Sequence, residues 1–334
     1  MQTLSSPTRA FAVAALALLA ACSQNTSPAT PAANPSSARS VWPASFRPAQ
    51  IRPAWMRMAP DGHRPTGLAV AEFGASNVFW YKANDKKNNP PKTCEPAEST
   101  NGIRIDRQGN LWVPNGISNT TTEYAPHCGA AKLTITDTTG EPADVGFDRH
   151  ENVYILDLNA KNGAPGVNVY THNGTFVRSL TDPSFHDPFG VNSDNHGNIY
   201  VSTLTTSNAG IVVEFPGGKM PGKQLSGVSL GLPGVPAFDS ANNLVITDWE
   251  AYTIDIFAPP YTSAPTTTPL EGASIWCSLD HKQQHLYCGD ADFGAIDVYK
   301  YPGATYLYSY TAGLSPSSLV TGVATDPPAS YWKR

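Results

Sequence analysis

Residues 102–113 read GIRIDRQGNLWV. Two short apolar-rich runs, Ile103 to Ile105 and Leu111 to Val113, flank the polar stretch Asp106-Arg107-Gln108-Gly109-Asn110. Strand side chains alternate between two faces, and Gly and Asn accept the backbone that a tight reversal needs. The stretch therefore predicts a β-hairpin. What decides the fold is whether the hairpin is single or repeated.

It repeats. Phe147-Asp148 leads to Val153-Tyr154, Ser193-Asp194 to Ile199-Tyr200, Phe238-Asp239 to Asn243-Leu244, and Leu279-Asp280, with one extra turn residue, to Leu286-Tyr287. A partial copy ends at Asp326. The turn aspartates are spaced by 42, 46, 45, 41 and 46 residues. A second motif, out of phase, closes each time on an aromatic residue: Val78 to Tyr81, Thr122 to Tyr124, Val167 to Tyr170, Ile211 to Phe215, Ile254 to Phe257 and Ile296 to Tyr299. A period in the forties holding four strands predicts propeller blades. Leu68 to Ala75 aligns with the second strand of a copy, and the missing first strand is Gly322 to Thr325. The expectation is an all-β, six-bladed β-propeller of four-stranded antiparallel blades over residues 61–334, closed by pairing of its N- and C-terminal strands, which removes an open edge.

The D-x-x-G-N-[LI]-[WY]-V core resembles that of the NHL-repeat and gluconolactonase-like six-bladed propellers, across most of residues 61–334. That resemblance implies a divalent metal in the central channel, held by Glu, Asn and Asp at the tops of first strands. The matching positions here are Asn101, Ala143, Phe189, Gly234, Ile275 and Thr321. Asn101 alone fits. Asp144 is one place off and is expected on the opposite strand face, while Phe189 and Ile275 make the channel entrance partly apolar.

The chain opens with Arg9 and the apolar run Ala10 to Ala21, too short for a permanent span. Leu19-Ala20-Ala21-Cys22 resembles a bacterial lipobox, in which cleavage precedes a cysteine whose sulfur carries diacylglycerol. An ordinary secretory signal is the alternative. Residues 1–21 are then a signal peptide, and Cys22 is a lipidated membrane anchor. Ser23, in place of Asp, points to the outer membrane or cell surface in a Gram-negative cell. Residues 22–60, rich in Pro, Ser and Ala, predict a flexible stalk, on which Trp42, Phe46, Trp55 and Met56 are candidates to dock on the folded part.

With 22 basic and 27 acidic residues the net charge is −5. The longest basic cluster, Lys82 to Lys92, reads as a loop. This argues against a nucleic-acid partner. Four cysteines follow Cys22, in no zinc-binding spacing. In the repeat register Cys277 takes the place of Ile103 and Cys288 that of Val113, directly opposite one another, which favours a cross-strand disulfide. Cys94 and Cys128 would then link adjacent blades. Reduced, buried thiols are the alternative for either pair.

The turn aspartates read as structural, since every copy has one. Second strands end at Glu72, Asn115, Asp157, Thr203, Asp248 and Asp290. These could ring the channel mouth on the ligand face, where oxygen ligands suit Ca²⁺ or another divalent cation, or each could satisfy its own turn. Gly227-Val228-Ser229-Leu230-Gly231 matches GxSxG but lacks the strand-to-helix context of a nucleophile elbow. His186, His281 and His285 fall in connections or turns. The reading that fits is a lipid-anchored, monomeric cell-envelope propeller that binds an unidentified protein or small molecule. The alternative is a metal-dependent lactonase-type hydrolase or lyase centred on the channel. The poor match at first-strand tops favours binding.

Overall fold

Asp106 shows why the repeated pattern turns where it does. The computed structural model describes residues 53, 56, 67–73, 77–82, 91–94, 102–137, 140–160, 163–326 and 328. In it, Oδ1 of Asp106 accepts the amides of Gln108 (2.9 Å) and Asn110 (2.8 Å), and Oδ2 accepts Asn110 Nδ2 (2.9 Å) and Trp112 Nε1 (3.0 Å). Asp148 and Asp194 repeat the arrangement, with the hydroxyls of Tyr154 (3.0 Å) and Tyr200 (3.1 Å) in the place of the indole. Asp239 takes its hydroxyl from Tyr301 of the next blade (2.8 Å), and Asp280 faces Nδ1 of His285 (2.8 Å). Three residues past each of these aspartates the backbone is left-handed: φ is +82° at Gly109, +63° at Glu151, +86° at Gly197, +62° at Asn242 and +53° at Gln283. Glycine occupies two of these positions because it enters that region without a Cβ clash.

Six sheets follow. Blade 1 combines β1 (Gly67–Glu72), β2 (Asn77–Tyr81) and β3 (Lys92–Thr93) with a strand from the far end of the chain. Blade 2 is β4 (Arg104–Ile105), β5 (Leu111–Asn115), β6 (Thr120–Tyr124) and β7 (Ala131–Thr136). Blade 3 is β8 (Pro142–Phe147), β9 (Val153–Asp157), β10 (Gly166–Tyr170) and β11 (Phe176–Leu180). Blade 4 is β12 (Asp187–Ser193), β13 (Ile199–Leu204), β14 (Gly210–Phe215) and β15 (Lys223–Gln224). Blade 5 is β16 (Ala237–Phe238), β17 (Leu244–Asp248), β18 (Thr253–Phe257) and β19 (Thr266–Pro269). Blade 6 is β20 (Cys277–Leu279), β21 (His285–Asp290), β22 (Ala295–Lys300) and β23 (Thr305–Tyr310). The last strand, β24 (Val320–Asp326), returns to pair with β1, from Gly67 opposite Asp326 to Glu72 opposite Val320. Blade 1 is thus built from both ends of the folded chain, as the repeat register predicts.

Apolar side chains pack between blades rather than into one centre. Ala69, Val78 and Trp80 of blade 1 meet Ile103, Leu111 and Val113 of blade 2. The other five boundaries carry comparable clusters, including Tyr154, Leu156 and Val169 against Val191, Val201 and Phe215 between blades 3 and 4. Each blade is therefore apolar on both faces, and only a closed ring covers both. Met56, alone among the four stalk residues expected to dock in being described, is buried. The signal segment, Cys22, Asn101 and the rest of the stalk apart from Pro53 lie outside the described residues.

Both disulfides are present. Cys277 pairs with Cys288 in register and is bonded to it, and Cys94–Cys128 fastens the end of β3 to the β6–β7 turn of blade 2. They point to an oxidising compartment.

The clamp gives a stability test. Asp194→Ala orphans two backbone amides and the Asn198 side-chain amide, and leaves the Tyr200 hydroxyl only its longer contact with Glu214. It is expected to cost about 2–4 kcal/mol, and Tyr200→Phe about 1 kcal/mol, both read as lowered urea midpoints at unchanged slope.

Candidate functional site

The face opposite the turn aspartates carries the ends of the second strands and the connections between blades. Of the six residues singled out there, all but the half-buried Asn115 are buried. Oδ1 of Asp157 accepts the amides of Asn159 (3.0 Å) and of Glu141, in the segment entering β8. Asp248 accepts Gly231 (2.6 Å) and Leu232 (3.2 Å) from the segment before β16, and Glu250 and Ala251 (both 3.2 Å) from its own turn. Asp290 accepts Phe293 (3.1 Å), and Oε1 of Glu72 accepts Leu319 (3.3 Å). Asn115 accepts Ser118 (3.5 Å), and the Thr203 hydroxyl donates to the Leu204 carbonyl (2.8 Å). Asp157, Asp248 and Glu72 thus bolt an incoming connection to their blades, and Asp290 holds its own turn. Glycine makes the approach possible: a Cβ at Gly140 would lie 2.0 Å from Asp157 Oδ2, and one at Gly272 would lie 2.2 Å from Asp290 Oδ1.

Burial shapes their titration. Asp157 is pushed up to about 6 by desolvation, against the pull of the Glu141 and Asn159 amides. Asp290 is raised well above the ordinary carboxylate value by desolvation and by Asp297 beside it. Desolvation likewise lifts Asp297 to about 7, against the hydroxyl of Ser309 at 2.5 Å.

Where the ring narrows, first strands of three blades meet around Asp144. Its Oδ2 accepts the Val191 amide of blade 4 (2.9 Å) and faces the Arg104 guanidinium of blade 2 (3.6 Å), which itself donates to the Val145 carbonyl (2.6 Å). Asp144 Oδ1 and Trp276 Nε1 have no hydrogen-bond partner. Both lie against Gly102, whose Cβ would stand 2.1 Å and 3.0 Å from them. Desolvation raises Asp144 to about 6 despite the guanidinium. The strand tops are less regular than simple alternation predicts. Pairing skips Ala143, Phe189 and Thr321, so three of the six first-strand positions compared with metal ligands are β-bulges. Phe189 and Ile275 are buried there.

One strand end opens outward. Beside Glu72 lies a cleft of about 480 Å³, lined by Asn77, Phe79, Ser315, Ser317 and Ser318. It offers a carboxylate, an amide, hydroxyls and one aromatic ring. Phe79 also packs on the core between blades 1 and 6. The serine-rich connection was not singled out in the sequence, because only ring closure brings residues 315–318 beside residue 72. His285 begins β21 and pairs with a turn aspartate rather than lying free in a loop. The GxSxG match lies in the connection between β15 and β16, with no helix following.

No protein-family model matches the chain, and no curated protein matches it. Among solved structures it is similar to a chain of a nidogen/laminin complex, with a TM-score of 0.66 and 17% identity over 78% of this chain and 98% of that one. It is also similar to a protein of unknown function from Bacteroides caccae, with a TM-score of 0.59 and 13% identity over 78% and 99%. A streptogramin B lyase aligns with a TM-score of 0.49 and 13% identity over 75% and 74%. At these identities the likeness is one of fold.

A carboxyl titrating at 3.8 when unfolded and about 6 when folded holds its proton preferentially in the folded protein. Its contribution to stability is therefore full below 3.8 and is lost as pH rises through 6. Wild-type melting temperature is expected to fall more steeply from about pH 4 to about pH 7 than that of Asp144→Asn or Asp157→Asn, and parallel calorimetric profiles would contradict this. Gly272→Ala is expected to cost about 1–3 kcal/mol by overpacking against Asp290, measured by chemical denaturation.

Proposed function

We propose that the chain is an exported, lipid-anchored β-propeller of the cell envelope that acts as a binding module, with the cleft beside Glu72 as its recognition site. The cleft carries the reading. Asp157, Asp248 and Asp290 are buried against connections and turns, whereas Glu72 adjoins open volume together with Asn77, Phe79 and three serines. Hydroxyl and amide groups around one ring suit an uncharged polar ligand or an extended stretch of a partner protein. The fold supports such a role without specifying it, and the nidogen/laminin complex is an instance of a similar propeller found with another protein. The anchor rests on Leu19-Ala20-Ala21-Cys22.

A second reading, a metal-dependent hydrolase or lyase centred on the channel, is favoured by Asp144, a buried carboxylate with one oxygen unpartnered where the first strands converge.

A photo-crosslinking residue at Ser317 is expected to give a discrete adduct in intact cells, and one at Phe176, exposed on the outer strand of blade 3, none. Cys22→Ser should abolish labelling by radioactive palmitate. If Ser317 gives no adduct and the purified protein holds a divalent ion that Asp144→Asn releases, the channel reading replaces this one.

A further inference from the structure

On the opposite face, in the boundary between blades 2 and 3, three residues far apart in sequence converge. Asp106 follows β4, Glu123 lies on β6, and His172 is in the β10–β11 turn of the next blade. One ligand atom from each, two carboxylate oxygens and an imidazole nitrogen, lie within 4.8 Å of one another. Asp106 and Glu123 are buried, and His172 is partly so. The Nδ1 of His172 is sealed from solvent and has no hydrogen-bond partner, a condition that is unfavourable unless something fills it.

The internal repeat shows what is unusual here. At the corresponding place in blade 4, Asp194 and Glu214 are bridged by the Tyr200 hydroxyl, 3.1 Å from one and 3.4 Å from the other. Tyr261 of the following blade packs edge-on against that tyrosine, at 6.0 Å. In blade 2, Trp112 replaces the tyrosine, and its single N–H serves Asp106 alone. Nothing equivalent to the hydroxyl joins Asp106 to Glu123. Where Tyr261 stands in blade 5, blade 3 supplies His172, edge-on against Trp112 at 5.8 Å. The repeat has thus exchanged a bridging hydroxyl for an imidazole nitrogen facing two carboxylates.

We propose that Asp106, Glu123 and His172 form a binding site for a first-row divalent transition-metal ion, with Zn²⁺ the best match. One nitrogen and two oxygens suit zinc and its neighbours better than Ca²⁺, which takes oxygen alone. The outer contacts are of the kind that orient ligands. The Gln108 and Asn110 amides hold Asp106 Oδ1, and Asn110 Nδ2 and Trp112 Nε1 hold Oδ2. An ion takes the place of one of these donors while the others orient the carboxylate. Lys132 Nζ holds Glu123 Oε1 at 2.6 Å. Lys132 is 45% exposed, so its ammonium can leave for solvent. It competes with a cation for Glu123.

The test is zinc titration of the full mature chain carrying Cys22→Ser, by calorimetry with a chelator to set the free-ion level, and Co²⁺ as a visible-absorption probe. One ion per chain is expected. His172→Ala and Glu123→Gln should each weaken binding by at least about tenfold and remove the Co²⁺ band, with melting curves confirming that the variants fold. Lys132→Ala should tighten binding, and Asp144→Asn should leave it unchanged. Absence of zinc binding, affinity unaltered in His172→Ala, or binding lost only in Asp144→Asn overturns the proposal.

Discussion

A carboxylate that accepts three or four N–H or O–H groups at once is the unit from which this ring is made. At Asp106, Asp148 and Asp194 it fixes the reversal between the two innermost strands and reaches the aromatic residue six places on. The hairpin is thereby tied to the side chain that packs on the next blade. Asp239, whose blade has Val245 at that place, borrows Tyr301 from the neighbouring blade, and the bond then fastens two blades together. The requirement that the second carboxylate oxygen be satisfied is kept while the donor changes, as the cost of an orphaned buried oxygen demands.

The two faces use their acidic residues differently. On the turn face the aspartates are held by their own hairpins. On the opposite face Asp157 and Asp248 receive amides from segments that arrive from the preceding blade, while Asp290 accepts Phe293 of its own turn and is closely approached by Gly272 of such a segment. Backbone groups that a buried connection would leave unpaired are satisfied at the cost of desolvating the acid, which is why several of these carboxyls titrate high. At Glu72 a cleft remains, bordered by Asn77 and Phe79 of β2 and by serines of the connection of residues 311–319.

Much of the ring was legible in the sequence because its determinants are local. The turn aspartate, the left-handed residue three places later and the aromatic at the end of each third strand all fall within one blade, and the repeat register around the turn placed Cys277 opposite Cys288. The burial of the strand-end carboxylates had a signal that went unused. Glycine recurs 17 or 18 residues before three of them, at Gly140 and Gly272, where a side chain would strike the acid, and at Gly231, where it would crowd Asp248 and strike Glu250. The bulges at Ala143, Phe189 and Thr321 left no such trace, since they depend on how six strands crowd one axis. The meeting of His172 with Asp106 was equally hidden, because the packing of one blade on the next creates it.

Closure through β24 and β1 has a consequence for how the molecule comes into being. The segment that completes the first blade is synthesised only after blades 2 to 6, and pairing at such separation is slow because loop-closure entropy precedes any reward. Blades 2 to 6 can assemble as their sequences appear, but blade 1 remains a two- or three-stranded fragment with a naked edge until residues 320–326 arrive. Cys94–Cys128 joins that fragment to blade 2. An oxidant acting early would hold the unfinished blade against its neighbour, already aligned for the strand that ends the wait.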